Sequence, residues 1–198
     1  MYSNKFNAIV SATKELANKL EYKDINIQKI DEYTSFSRAS IYYYFHNKEE
    51  IFIYILTEEY NKIIAEIQQL KNTDIKMTKN TFADKMARIF DQHHLMLKLI
   101  SNNLTDLQEK SRMTYLIKFK KSYGNFLATY DNCLKKFFPN LSKDQIENIN
   151  YAFFPFLYGI YPFSSVTDKQ KEGLTKAGFI YKPHSVYNLV FNMLITIL

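Results

Sequence analysis

Tryptophan is absent from this chain, cysteine occurs once, and glycine and proline occur only 4 times each in 198 residues. A lone thiol, Cys133, excludes an internal disulfide. No basic-then-apolar segment at the N-terminus marks export, so the expected compartment is the cytoplasm. So few helix breakers leave long runs at helical spacing, and the expected fold class is all-α. Gly124, Gly159, Gly173 and Gly178 stand apart from one another and form no Gly-rich phosphate loop, which leaves nucleotide hydrolysis without support. Arginine is scarce: Arg38, Arg88 and Arg112 are the only ones among 26 basic residues. Charge is also missing from whole stretches, over residues 148–167 and again over 185–198. Pro155, Gly159 and Pro162 make the first of these a buried helix rather than a membrane span. Two charge-free helical surfaces exceed what a monomer of this size needs to bury, which points to a homodimer interface with Leu194 as an interface candidate.

What is present begins with 46% hydrophobic residues, enough for a substantial core, and a net charge of +6. That charge is weak evidence for a nucleic-acid partner, since residues 1–48 hold 7 Lys/Arg against 5 Asp/Glu. Phe6, Ile9, Val10, Thr13, Leu16, Ala17 and Leu20 follow the spacing of an amphipathic helix. Asn26 is placed to cap a second helix with Ile27, Ile30 and Tyr33 at intervals of three. Ser37 is placed to cap a third, running through Ser40, Ile41, Tyr44 and Phe45. Two short helices joined by a tight turn at Thr34, Ser35 and Phe36 read as a helix-turn-helix, whose second helix enters the DNA major groove.

The run from Phe36 to Lys48, FSRASIYYYFHNK, with its Tyr-x-Tyr-Phe core followed by Asn-Lys-Glu, closely resembles the DNA-reading segment of tetracycline-repressor (TetR) family regulators. The resemblance covers roughly residues 6–56. The chain departs from the family pattern at Ser35, where the turn usually holds Gly, and at Asp31 and Tyr33, where a small residue usually sits. The resemblance implies an N-terminal three-helix DNA-binding domain over residues 1–48 and a helical ligand-binding and dimerisation domain over 49–198, with 49–70 as the connecting helix. It implies a homodimer that binds double-stranded DNA at an inverted-repeat operator and releases it when a small effector of unknown identity enters the C-terminal domain. Arg38, Ala39 and Tyr43 are then expected to face base edges. Ser37, Ser40, Tyr42 and Lys48 hold phosphates and set register, and Gln28 reaches either a base or the backbone.

Beyond the motif, Glu49 and Glu50 open a helix of about 30 Å, for roughly 20 residues at 1.5 Å each. Residues 72–80 read as a loop. Helical spacing then runs from Phe82 to Ile100, with a short segment around Leu104 and Leu107, and from Ser111 to Phe138 up to Pro139. Ser142 and Ser185 are caps for later helices, and a short helix ends near Gly178. Of the adjacent His93 and His94, about 100° apart on a helix, one is expected to face the core and the other solvent, a poor arrangement for a shared metal. No cofactor is expected. No nucleophile with a paired base assembles from local spacing, and Cys133 reads as packing, so an enzyme is not expected. The 16 Tyr and 16 Phe are mostly core. Tyrosine interleaved with Phe also suits an apolar effector pocket, for which Phe90, His94, Tyr115, Phe119, Tyr123, Phe126, Phe153 and Tyr158 are candidates. A helical small-molecule or acyl-binding protein whose helix-turn-helix serves protein contacts remains open as a second reading.

Overall fold

The computed structural model describes residues 4–34 and 36–198; the turn position Ser35 lies outside them. Among the described residues all regular structure is helical. The order is α1 (Asn4–Lys19), a 3-10 turn (Tyr22–Asp24), α2 (Ile27–Thr34), α3 (Arg38–Tyr44), α4 (Lys48–Lys71) and α5 (Lys79–Asp91). Then follow α6 (His94–Glu109), α7 (Met113–Phe137), α8 (Lys143–Ser164), α9 (Asp168–Lys176) and α10 (Val186–Ile197). None of these helices is long and apolar enough to cross a membrane.

The chain divides into two compact units, one of residues 1–62 with 102–125 and one of 63–101 with 126–198. The reading domain expected over 1–48 lies within the first unit, which continues along α4 and takes in the end of α6 and the first half of α7. Aromatic packing accounts for the extension. Phe6 of α1 packs at 4.9 Å from both Phe45 and Tyr54, and Phe45 stacks on Tyr115 of α7 at 5.5 Å. With Ile25, Ile30, Ile41, Ile51 and Phe52 all at 0% exposure, the three short helices share one core with the first turns of α4. A full side chain such as Phe45 contributes about 1.5–3 kcal/mol by burial.

In the second unit α10 packs against α5 and α8. Tyr187 fastens it: its amide donates to Asp91 at 3.1 Å and its hydroxyl to Asp84 at 2.8 Å. Leu194 is at 0% exposure in this core, so it is a packing residue and not the interface position that its charge-free surroundings suggested. Rings fill the interior. Phe90 meets Phe153 at 5.5 Å and Phe126 at 6.3 Å edge-on, while Tyr130 stacks on Phe153 at 5.2 Å.

Local signals explain most element ends. Asn26 accepts from the Lys29 amide at 2.9 Å, Ser142 and Gln145 form a reciprocal capping box, and Ser185 accepts from Asn188 at 3.1 Å. Gly178, at φ 85°, closes α9 in a Schellman motif, with Phe179 N–H donating to Leu174 at 3.0 Å. The run expected from Phe82 to Ile100 is instead broken at Gln92, and α6 continues through Leu104 and Leu107 without interruption. At the break His93 turns inward, 4% exposed, and its ring meets Glu66 at 3.2 Å, while His94 faces solvent.

Candidate nucleic-acid interface

The helix-turn-helix is built from its caps outward. Thr34 closes α2 by donating to Ile30 O at 3.0 Å, and Ser37 opens α3 by accepting from the Ser40 amide at 3.4 Å. In the Tyr-x-Tyr-Phe core the side chains separate by face. Tyr42 and Tyr43 are 49% and 80% exposed, Tyr44 is half-buried, and Phe45 is fully buried. Arg38 and Ala39 share the exposed side of α3. Thus α3 is anchored by Ile41 and Phe45 and presents an uncovered face of Arg38, Ala39, Tyr42 and Tyr43.

Gln28, Arg38, Tyr42 and Lys48 line one hollow of about 380 Å³. Asn26, His46 and Asn47 line it too, and sequence reasoning had not singled out these last two as site residues. Ser37, Ala39, Ser40 and Tyr43 lie outside that hollow on the same short helix and its cap. Arg38 is 3.5 Å from Asp31, so the acid that departs from the family pattern orients the one arginine of α3. A second departure, Tyr33, receives a hydrogen bond from Lys19 at 3.2 Å, and the third, Ser35, lies outside the described residues.

Lys48 has an internal role. Its ammonium donates to the carbonyls of Tyr22 and Ile25 at 2.8 Å each and lies 4.0 Å over the Tyr22 ring. This ties the first turn of α4 to the 3-10 turn ahead of α2, and burial pushes the ammonium's pKa down.

The C-terminal end of α3 is held by a clamp that local sequence gave no sign of. Glu50, at 0% exposure, receives Arg112 in a fork, Nε to Oε1 at 2.6 Å and Nη2 to Oε2 at 2.7 Å. It also accepts from the His46 amide at 2.8 Å and the Arg112 amide at 3.0 Å. Burial alone pushes the Glu50 carboxyl up, but the Arg112 guanidinium and the two amides outweigh it and hold it below its ordinary value. Arg112 Nη2 and the Tyr115 hydroxyl both donate to Tyr44 O, at 2.8 and 3.1 Å, and Asn47 donates to Lys110 O at 2.8 Å. The junction of α6 and α7 therefore grips the last carbonyl of the reading helix and the first turn of α4.

The candidate pocket residues fall into two sets. Phe90, Phe126 and Phe153 are buried together in the second unit, where Tyr158 is half-buried and His94 stands at the surface, 3.9 Å from Asp91. In the first unit Phe119 and Tyr123 each lie 5.8 Å from Tyr60, and Tyr115 belongs to the clamp. The hydroxyl of Tyr130, fully enclosed among Phe82, Phe153 and Phe154, has no hydrogen-bond partner among the described residues. Burial pushes the Cys133 thiol up to about 12, the opposite of what a nucleophile requires.

Relatives bear on what this geometry is for. Residues 9–55 match the bacterial regulatory proteins of the tetR family, and residues 57–181 match the tetracyclin repressor-like C-terminal domain. Over 130 residues the chain is 27% identical to the fatty acid metabolism regulator protein of Bacillus subtilis, which spans 66% of this chain and 64% of that protein, just under two thirds of its length. The fold is similar to that of the fatty acid degradation regulator FadR from Bacillus halodurans, with TM-score 0.64 and 17% identity over 100% of this chain and 96% of that one. FadR from Bacillus subtilis, solved in complex with stearoyl-CoA, aligns with TM-score 0.63 and 14% identity over 97% of both chains. A TerR/AcrR-family transcriptional regulator from Aquifex aeolicus VF5 aligns with TM-score 0.55 and 18% identity over 88% of this chain and 99% of that one. With matches to both the DNA-binding and the C-terminal domain of one family along almost its whole length, the chain belongs to the tetracycline-repressor family of bacterial regulators.

Proposed function

We propose that this protein is a sequence-specific DNA-binding transcriptional repressor that works as a cytoplasmic homodimer and is released from its operator by a long-chain acyl thioester of coenzyme A. The observation that carries the reading is the uncovered α3 face, with Arg38 oriented by Asp31 and the helix anchored through Ile41 and Phe45. Arg38, Ala39 and Tyr43 read base edges in the major groove. Ser37, Ser40 and Tyr42 contact phosphates, Gln28 reaches the groove edge, and Lys48 supplies charge while holding the reader together. The effector class comes from the relatives, which include fatty acid regulators and a structure with stearoyl-CoA.

The aromatic interior suits the acyl chain. Phe90, Phe126, Phe153 and Tyr158 of the second unit line its path. The Tyr130 hydroxyl, without a partner among the described residues, is a donor for one acceptor on the ligand. Release follows if the effector favours a position of α6 and α7 that the clamp on Tyr44 cannot share with the DNA-fitting spacing of two reading heads. Dimerisation uses the exposed charge-free face of α8, where Tyr151 and Phe163 are 70% and 67% exposed and Pro155, Gly159 and Pro162 lie between them. The test is operator binding by the full-length protein with rising stearoyl-CoA. Selective binding that the thioester abolishes is expected, and selective binding that it leaves intact refutes the effector assignment.

A further inference from the structure

Between α3 and α4 the chain turns through His46, whose backbone is held from two directions. Phe45 before it is fully buried, and its own amide donates to Glu50 Oε2 at 2.8 Å. The residue itself is exposed and lines the hollow of about 380 Å³ with Gln28, Arg38 and Tyr42. Among the described residues no hydrogen bond or ion pair engages its ring. The other polar groups around the hollow are engaged. Gln28 of α2 donates to Glu32 at 3.1 Å, and Arg38 of α3 lies 3.5 Å from Asp31. Lys48 of α4 directs its ammonium to the carbonyls of Tyr22 and Ile25. Glu49 is 8% exposed, accepts from the Tyr22 hydroxyl at 3.1 Å and has Lys110 at 3.9 Å, while Glu50 is closed in by Arg112. The lining therefore sets Arg38 and Lys48 against Glu49 alone, a net positive charge before the imidazole is counted, and Tyr42 is its other titratable group. Histidine is the side chain whose charge changes between pH 5 and 8, and only the imidazolium donates from both ring nitrogens.

We infer that His46 contacts a backbone phosphate of bound DNA, and that its protonation adds one charge-assisted contact per reading head, so that DNA binding tightens in mildly acid solution. The inference rests on the DNA-binding reading above and adds to it a residue and a pH dependence. With two of the three Lys48 donors committed to carbonyls, His46 is the group at this corner whose donors are open to a phosphate oxygen. Each phosphate neutralised steepens the fall of log K with log salt by about 0.9, so the two heads of the proposed homodimer add about 1.8 when both imidazoles are charged.

The test is fluorescence anisotropy of the full-length protein on a duplex that it selects from genomic fragments, and on a random duplex, at about pH 8 and about pH 5.5 over a range of salt. Wild type is expected to bind at least about fivefold tighter at the lower pH, with a salt slope steeper by about 1.8. The gain should be the same on both duplexes, because a phosphate contact carries no sequence information. His46→Asn should match wild type within about twofold at about pH 8 and lose both the tightening and the added slope. His46→Lys should show the tighter binding and steeper slope at both pH values, and His184→Asn should behave as wild type. Equal affinity of wild type at the two pH values overturns the inference, as does a His46→Asn protein that keeps the full tightening. A gain confined to the selected duplex overturns the phosphate assignment. Absence of selective binding at either pH instead removes the DNA-binding reading on which the inference rests.

Discussion

At the scale of single residues, Arg38 and Lys48 look alike in the sequence as basic groups flanking an aromatic run, and the structure separates them. Arg38 is exposed beside Asp31, whereas two of the three Lys48 donors are engaged with carbonyls. Arg38→Ala should cost about 1–3 kcal/mol per half-site and relax preference at one base position, measured by binding to singly substituted operators. Equal losses on operator and random duplex would contradict a base contact. Lys48→Ala should instead lower the thermal stability of the reading unit by roughly 1–2 kcal/mol, because two charge-assisted hydrogen bonds are lost. An unchanged melting temperature with weaker DNA binding would return Lys48 to a purely phosphate-contacting role.

Glu50 was legible only as an acid in a helix's first turn. Its partner Arg112 is distant in the sequence, and neither periodicity nor propensity carries information about such a pair. Arg112→Ala should destabilise the protein by roughly 2 kcal/mol, less than a fully buried pair would cost because Arg112 is 41% exposed. The pH dependence has a defined sign. The folded carboxyl lies below its ordinary 4.5, so its contribution is fully present above about pH 4.5 and is lost as pH falls through the lower folded value. Acid unfolding of Glu50→Gln should therefore be shallower than that of wild type below about pH 4.5; identical profiles would remove Glu50 from the acid response.

At the scale of elements, ends were the most legible feature where a side chain announces them. Asn26, Ser37, Ser142, Ser185 and Gly178 all sit where their chemistry puts them. The break at Gln92 was not legible, because Phe82 to Ile100 keeps helical spacing across it and the buried contact between His93 and Glu66 beside it joins residues distant in sequence. Charge-free composition marked α8 and α10 alike, yet the structure uses α10, with Leu194 inside, to close its own core against α5 and α8. Composition shows that a helix is shielded from water but not by which partner. The exposed stripe of α8 is then the dimer candidate, and Gly159 is the position to probe. A Cβ there meets nothing within 4 Å, and any other helix-forming residue gains roughly 1 kcal/mol of helix propensity over Gly. Gly159→Glu should thus fold normally and sediment as a monomer, whereas an unchanged dimer would exclude this face.

At the scale of the whole molecule, the all-α architecture and the reading segment were legible because cap, turn and aromatic residues are local. The proposed effector site rests on candidates that are individually indistinguishable from core in the sequence, and their grouping depends on tertiary contacts. In the proposed homodimer, two reading heads on a two-fold axis require an inverted-repeat operator with half-site centres about 34–36 Å apart or somewhat more. To move the DNA-competent population from about 99:1 to 1:99, the effector must favour the released form by roughly 10⁴-fold, or about 5.5 kcal/mol. The most direct measurement is footprinting of the full-length protein on genomic fragments that it selects, repeated at saturating stearoyl-CoA. The account predicts protection of a two-fold symmetric site that disappears with the thioester. Uniform, salt-sensitive protection of any duplex, with no preferred site, would contradict it.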